Sequence, residues 1–253
     1  MSHVLAVAYH SVTPTWQNPL AIDPRTFELQ LNKLAERGYV GVTLTKAATE
    51  TSEQPRVAIT FDDAFASVAR AAVPILRNLG WPATVFAPTR AVETGGPMSW
   101  LGESAGTPAS ELQPMTWAEL SDLSALGWEI GSHSRTHVLL SGLSDEELEA
   151  EVAGSRSDVI DHIGTCTSFS YPWGVVSPRA MEAVEAAGYI AASGLAGRFL
   201  RHNPLAVPRF AIASTDSDLR FRLKTSNTFG LMRTTPLWDL LRRMRHQPAS
   251  TQT

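Results

Sequence analysis

The chain has 253 residues, of which 43% are hydrophobic, so it can bury a sizeable core and is not globally disordered. Its formal net charge of −4 gives no sign of a nucleic-acid surface, and its single cysteine, Cys166, excludes an intrachain disulfide framework. No stretch is apolar for long enough to cross a membrane, and the first residues, MSHVLAVAYH, lack the features of a signal peptide. We therefore expect a cytoplasmic protein.

Strands and helices are predicted to alternate along the chain. The predicted strands cover 4–9, 57–61, 82–87, 128–131, 168–171 and 189–193. The predicted helices cover 27–39, 65–79 with a kink or split at Pro74, 116–127, 144–162 and 177–187, and the third and fourth begin with capping boxes. Residues 94–115 read as a long loop. This order predicts an α/β fold with a parallel sheet or barrel in a single domain over 1–253.

Polar and special residues follow several of the predicted strands. His10 follows the first, the pair Asp62 and Asp63 follows the second, His133 follows the fourth, and Tyr-Pro-Trp-Gly at 171–174 follows the fifth. In parallel α/β folds, the chemistry lies at the carboxyl ends of the strands. These residues are therefore expected to lie on one rim.

His133 and His137 are four residues apart, a spacing that places two imidazoles on one face of a helical turn. Two neutral histidines and one carboxylate form a common transition-metal site with an open position for water. One aspartate of the pair can bind the ion and the other can act as a base. Alternatively, the histidines lie on a surface or in the core, and the aspartates form a turn or helix cap. An iron oxygenase site with these ligands ranks last, because such sites usually lie on a β-sandwich.

The motifs TFDDA (60–64), HSRTH (133–137) and FSYPWG (169–174), in that order, resemble the first three motifs of the polysaccharide deacetylase family. These are the NodB-homology domains of carbohydrate esterase family 4, and the likeness extends from about Tyr9 to Arg209. The resemblance implies an irregular (β/α) barrel of about seven strands. It also implies the removal of N- or O-acetyl groups from sugars with a divalent metal. Zinc is the expected ion, and cobalt, nickel or manganese could occupy the same ligands.

Carried over by position, the resemblance assigns a role to each motif residue. Asp62 would be the general base, and Asp63 would bind the metal together with His133 and His137. The backbone N–H of Trp173 would stabilise the developing oxyanion. The predicted substrate-binding residues are Tyr171, Pro172, Arg209 and Trp100.

The chain departs from the family pattern at several points. Ala64 stands where glycine is usual, and the third-motif arginine that steadies the catalytic aspartate is missing. Ser170 lies near its place, and Arg209 in VPRF is the candidate replacement, the alternative being a surface arginine. The late Leu-x-His motif that supplies a general acid is not found on a strand, because His202 lies in a polar loop context and His246 in a basic tail.

His10 is predicted to replace that general acid, because it follows the apolar run LAVAY at a strand end. Its pKa would not need to shift far for this role. The alternative is an ordinary histidine at a strand end. Asp216 and Asp218 could orient the acid, but they more readily cap the following helix.

Aromatic and basic residues leave further alternatives open. Trp100 and Trp173 could stack on a sugar ring or belong to the core. Residues 232–253 form a candidate basic helix and disordered tail. That helix could contact an acidic membrane surface, although a plain surface helix is the simpler interpretation.

The sequence therefore predicts a metal-dependent deacetylase of an N-acetylated sugar, free or nucleotide- or lipid-linked. The alternatives are a hydrolase of a non-sugar amide or imide on the same scaffold, and a non-catalytic carbohydrate-binding relative. Loss of a metal ligand or of the base would favour the last, and all four of Asp62, Asp63, His133 and His137 are present.

Overall fold

A parallel sheet curls into a barrel in the computed structural model, which describes residues 5–101, 108–195 and 203–226. Its strands are β1 (Leu5–Tyr9), β4 (Val40–Val42), β5 (Arg56–Phe61), β6 (Thr84–Ala87), β7 (Glu129–Ser132), β8 (Ser168–Ser170), β9 (Ala191–Gly194), β10 (Val207–Pro208) and β11 (Phe210–Ala211). A separate pair consists of β2 (Ser11–Val12) and β3 (Ala21–Ile22). The strands are almost entirely buried, as expected when helices cover the outside of a parallel barrel.

The ring is closed by one short extended segment, residues 207–211. Its first half, β10, pairs with β9, and its second half, β11, pairs with β1. Arg209 lies between the two halves, and its N–H donates to the carbonyl of Gly194 at 3.0 Å. Among the described residues, the ring therefore runs β1, β5, β6, β7, β8, β9 and this segment. β4 pairs with the start of β5, off this path. The predicted barrel of about seven strands is confirmed.

The helices lie between the strands in chain order. They are α1 (Pro24–Glu36), α2 (Leu44–Thr49), α3 (Val73–Asn78), α4 (Thr89–Thr94), α5 (Trp117–Ala125), α6 (Asp145–Ile163), α7 (Pro178–Ala186) and α8 (Asp218–Lys224). The two predicted capping boxes form at the starts of α5 and α6, where Thr116 and Ser144 exchange hydrogen bonds with Glu119 and Glu147. These caps satisfy amide groups that a helix start otherwise leaves unpaired.

One predicted helix differs in form. The expected helix over 65–79 consists of a π-helical turn, Val68–Ala72, followed by α3. Pro74 lies in the first turn of α3, directly after the π-helical turn, so the predicted helix is split next to this proline, as expected.

The sequence did not predict several short elements, namely β2, β3, β4, α2, α4 and the pair β10 and β11. The predicted loop over 94–115 contains two 3₁₀ turns, Ser99–Leu101 and Ala109–Leu112. His202, His246 and the basic segment 232–253 lie outside the described residues. Within the described ranges, no helix combines the length and the hydrophobicity needed to cross a membrane.

Candidate active site

The carboxylate of Asp62 lies in the barrel interior, bound by a buried arginine. Arg209 is 0% exposed and donates to both carboxylate oxygens, with Nη1–Oδ1 and Nη2–Oδ2 distances of 2.7 and 2.9 Å. Burial alone would raise the pKa of Asp62, but the Arg209 charge outweighs it and holds this pKa below its usual range. Asp62 is therefore ionised and fixed in orientation.

Two hydroxyl groups accept further hydrogen bonds from the Arg209 guanidinium. Its Nη1 donates to Oγ1 of Thr60 at 2.8 Å, and its Nη2 donates to Oγ of Ser170 at 2.7 Å. The guanidinium carbon also lies 5.1 Å from the ring centre of Phe86. Arg209 is completely buried and positions Asp62, so it takes the place predicted for it, that of the missing third-motif arginine, and is not a surface arginine. The prediction that it binds substrate is not supported. Thr60 was missed, although a threonine two residues before Asp62 in an apolar strand was an available signal.

Three candidate metal ligands converge beside Asp62. Asp63, His133 and His137 are all buried and offer ligand atoms that lie within 4.8 Å of one another. Oδ1 of Asp63 lies 3.9 Å from Nε2 of His133 and 3.5 Å from Nε2 of His137. The Nδ1 of His133 lies 2.8 Å from the Ser170 carbonyl, so an N–H there leaves Nε2 free for a ligand bond.

The electrostatics of this cluster favour a cation. Burial lowers the pKa of His137 to about 2 and that of His133 in the same direction, so both rings are neutral. Burial and the Asp62 charge raise the pKa of Asp63, with the indole N–H of Trp100 opposing them. Oδ1 of Asp63 has no hydrogen-bond partner within the described ranges. Two neutral imidazoles and an unsatisfied carboxylate suit a divalent transition metal.

The two histidines do not share a helical turn, contrary to the prediction. His133 follows β7 directly, and His137 has a φ of 59° in the loop that follows. Its amide donates to Oγ of Ser134 at 3.1 Å, a local contact that returns the chain towards the site. The loop is braced from outside by Arg135, which donates to both carboxylate oxygens of Asp158 at 2.9 and 2.8 Å.

Strained backbone is concentrated in these motifs. The non-glycine residues with positive φ in the described chain are Asp63, Ala64, Ser134, His137 and Trp173. Such conformations cost of order 1–3 kcal/mol each and cluster at functional sites. Ala64, with a φ of 52°, also explains why glycine is usual at its position in the family pattern.

Within the third motif, two buried residues, Tyr171 and Pro172, are followed by an exposed one, Trp173. Tyr171 is fully buried and donates its hydroxyl to the Leu205 carbonyl at 2.9 Å, and Pro172 is buried beside it. The prediction that these two side chains bind substrate is therefore not supported, because neither is accessible. Trp173 is 53% exposed, and its ring centre lies 5.0 Å from that of His137. The buried pair holds the turn that presents Trp173 at the site.

Trp100 reaches the site from the 94–115 loop. Its ring stacks on His137 with a centroid distance of 4.7 Å and an interplanar angle of 19°. The other two residues considered around the acid have local roles. Asp216 accepts from the Ala213 amide at 2.9 Å and pairs with Lys224, and Asp218 lies in the first turn of α8.

His10 lies next to the same charges. It interacts electrostatically with Asp62, His133 and Arg209, and its Nδ1 is buried without a hydrogen-bond partner in the described part of the chain. Burial lowers its pKa to about 4, with Asp62 opposing this shift and the Arg209 charge acting in the same direction. The expectation of a nearly unshifted pKa is wrong, because it took no account of this buried setting. His10 is neutral at pH 7.

This shift predicts a pH dependence of stability in metal-free protein. The neutral form of His10 is favoured on folding, so its contribution is complete above pH 6.5 and is lost as the pH falls to about 4. When the pH is lowered from 6.5 to 4, the unfolding free energy of wild type should fall by about 3 kcal/mol more than that of His10→Gln, which has no imidazole to protonate. Denaturant unfolding in EDTA at several pH values measures this difference. Parallel pH profiles for the two proteins would contradict the prediction.

Comparisons with known proteins agree with the sequence motifs. The family model described as polysaccharide deacetylase matches residues 49–192. The YxkH protein of Bacillus subtilis (strain 168), whose name also refers to polysaccharide deacetylase, is 28% identical over 188 residues. That match covers 72% of this chain and 60% of the relative, so the chain spans only part of that protein's length.

Solved structures share the fold. The Streptococcus pyogenes deacetylase PplD in complex with acetate has a TM-score of 0.71 at 18% identity, covering 89% of this chain and 98% of that one. A de-N-acetylase from Aggregatibacter actinomycetemcomitans has a TM-score of 0.72 at 20% identity, covering 87% and 99%. At such identities the likeness establishes the barrel and leaves the chemistry to be argued from the site.

Proposed function

The chain belongs to the polysaccharide deacetylase family, and on that premise we propose that it is a metal-dependent hydrolase that removes the acetyl group from an N-acetylated sugar. The observation that carries the proposal is the buried cluster of Asp63, His133 and His137 beside an aspartate held by an arginine. Structural ion pairs are common, but two carboxylates in adjacent positions with opposite pKa shifts are typical of a catalytic site.

The three ligand candidates would hold the ion, for which zinc is the first choice because the reaction involves no redox change. A bound ion of this kind supplies Lewis acidity and lowers the pKa of water to roughly 7. Asp62 takes a proton from the attacking water, and Arg209 keeps Asp62 ionised and aimed. The N–H of Trp173 donates to the oxyanion that forms at the acetyl carbon.

His10 completes the proton transfer to the leaving amine. Because it starts neutral, it first has to gain a proton, and the nearby Asp62, which has taken one from water, is the source. The proton then moves from His10 to the amine nitrogen as the C–N bond breaks, which gives acetate and a free amino sugar. His10 therefore acts as a relay between base and leaving group.

This function is tested by acetate release from the acetylated sugars, with formate release and ring opening as the readouts for the formamide and the cyclic imide. Purified protein is incubated with N-acetylglucosamine oligomers, a nucleotide-linked N-acetyl sugar, an O-acetylated sugar, a formamide and a cyclic imide. We expect acetate from an N-acetylated sugar, loss of that activity with a chelator, and recovery with added zinc. Hydrolysis of the formamide or imide alone would favour the non-sugar amide hydrolase, a rival that the altered third motif leaves open.

The finer features of the substrate stay predictions. The sequence alone is the basis for expecting a nucleotide- or lipid-linked sugar as the substrate. It is also the only basis for expecting a cytoplasmic location and a single catalytic domain over 1–253. The non-catalytic alternative is disfavoured because base and ligands are all retained. It would gain support if the metal-loaded protein bound a sugar oligomer without releasing acetate.

A further inference from the structure

The two candidate histidine ligands differ in how their rings are oriented. Metal-binding histidines almost always donate their second ring N–H to an oxygen, which fixes the ring. His133 has such a partner in the Ser170 carbonyl, 2.8 Å from its Nδ1. The Nδ1 of His137 is buried, and no hydrogen-bond partner exists for it in the described part of the chain. Within the described residues, the contacts that hold this ring are therefore aromatic ones.

Trp100 is in the position to do so. Its ring lies nearly parallel to the His137 ring at 4.7 Å, whereas Trp173 meets that ring at 60° and is half exposed. The indole N–H of Trp100 is itself buried without a hydrogen-bond partner among the described residues. The unsatisfied acceptor of the cluster is Oδ1 of Asp63, which lies 3.5 Å from Nε2 of His137, the ring on which Trp100 stacks. Trp100 thus packs on one ligand and brings an unpaired donor to a cluster in which a second ligand, Asp63, has an unpaired acceptor.

We propose that Trp100 is a positioning residue of the metal site, whose ring face orients His137 and whose N–H donates to the carboxylate of Asp63. The inference deepens the proposed function and rests on it. It also gives Trp100 a role other than the sugar contact predicted from the sequence, because one face of its ring packs against His137. Both ligands have positive φ values, 66° at Asp63 and 59° at His137, so their backbone conformations are costly to maintain and benefit from a side-chain restraint.

Two substitutions separate the contributions of the ring and the N–H. Trp100→Phe keeps an aromatic face over His137 and removes the N–H, and Trp100→Ala removes both. Zinc affinity is measured by competition with a chromophoric chelator, with thermal unfolding as the check on folding. We expect affinity to fall by about 10–100-fold in Trp100→Ala and by less in Trp100→Phe. Excess zinc should restore much of the lost kcat.

The chain supplies a matched control at Trp117. This tryptophan also stacks on a histidine, His162, at 4.2 Å and 6°, and its N–H donates to the Glu93 carboxylate at 2.9 Å. Trp117→Phe therefore removes an indole N–H from a cluster of tryptophan, histidine and carboxylate that contains none of the candidate metal ligands. We expect this variant to keep wild-type zinc affinity.

The outcomes are distinct. Wild-type zinc affinity in Trp100→Ala, with a raised KM for sugar, would overturn the inference and return Trp100 to a sugar platform. The same fold-change in Trp117→Phe as in Trp100→Phe would also overturn it, because the effect would then be general. A wild-type protein that binds no zinc would overturn the proposed function itself.

Discussion

Replacing Arg209 with methionine is expected to lower the free energy of unfolding by about 3–5 kcal/mol, because Asp62 is left buried without its partner and has to take up a proton to avoid remaining as an unpaired charge. Arg209 is completely buried, makes two hydrogen bonds to Asp62 and binds Thr60 and Ser170. Deacetylation should be abolished as well, since an unpaired Asp62 becomes protonated and cannot act as a base. Denaturant unfolding and an acetate-release assay measure the two effects.

A double variant separates loss of the pair from loss of the charge. Replacement of both partners, Asp62→Leu with Arg209→Met, should recover much of the lost stability, because apolar side chains can fill the space of a buried ion pair. It should recover no activity. Arg209→Lys should lie between wild type and Arg209→Met, since lysine keeps the charge but cannot reproduce the two-point contact. A loss below about 1 kcal/mol in Arg209→Met would show that the pair is not needed for folding.

Replacing Asp62 with asparagine is expected to lower kcat by about 10²–10⁴-fold while the metal stays bound. The amide keeps the shape of the side chain but cannot accept a proton from water, whereas Asp63, His133 and His137 are unchanged. Steady-state kinetics on zinc-loaded protein, with metal content measured on the same sample, checks both halves of this prediction.

The matched control for that prediction is Asp63→Asn. It alters the neighbouring carboxylate, which belongs to the ligand cluster, so metal content and activity should fall together. If Asp62→Asn retained activity within tenfold of wild type, Asp62 would not be the base. If it lost its metal, the two aspartates would have exchanged their assigned roles.

Much of the site could be predicted from the sequence by one rule of topology, that parallel strands of a barrel end at the same rim. Strands were recognisable as apolar runs, and parallel strands in a barrel bring their carboxyl ends to one rim. His10, Asp62, Asp63 and His133 each follow a buried strand, so their proximity could be predicted without knowing any distance. The capping boxes of α5 and α6 were equally readable, because each depends on residues only three apart.

The rest depended on contacts that sequence spacing does not encode. The HxxxH spacing suits a helical turn, but the chain from His133 to His137 leaves β7 and turns through two positive-φ residues. Arg209 could be proposed as the arginine that steadies Asp62 only through the family resemblance, because its flanking strands of two residues each are too short for a periodic pattern and Asp62 is 147 positions away. The low pKa of His10 likewise arises from burial and from charges contributed by distant segments.

The central claim is that Asp63, His133 and His137 hold a catalytic metal, and metal content by mass spectrometry tests it most directly. Protein purified without chelators is compared with the variants His133→Ala and His162→Ala. His162 is the control because its Nδ1 also lies against a backbone carbonyl and its Nε2 lies 3.9 Å from the Glu93 carboxylate, as in the candidate site. We expect about one equivalent of a divalent metal in wild type and in His162→Ala, and its loss in His133→Ala. A folded wild-type protein without metal that fails to take up added zinc would contradict the account.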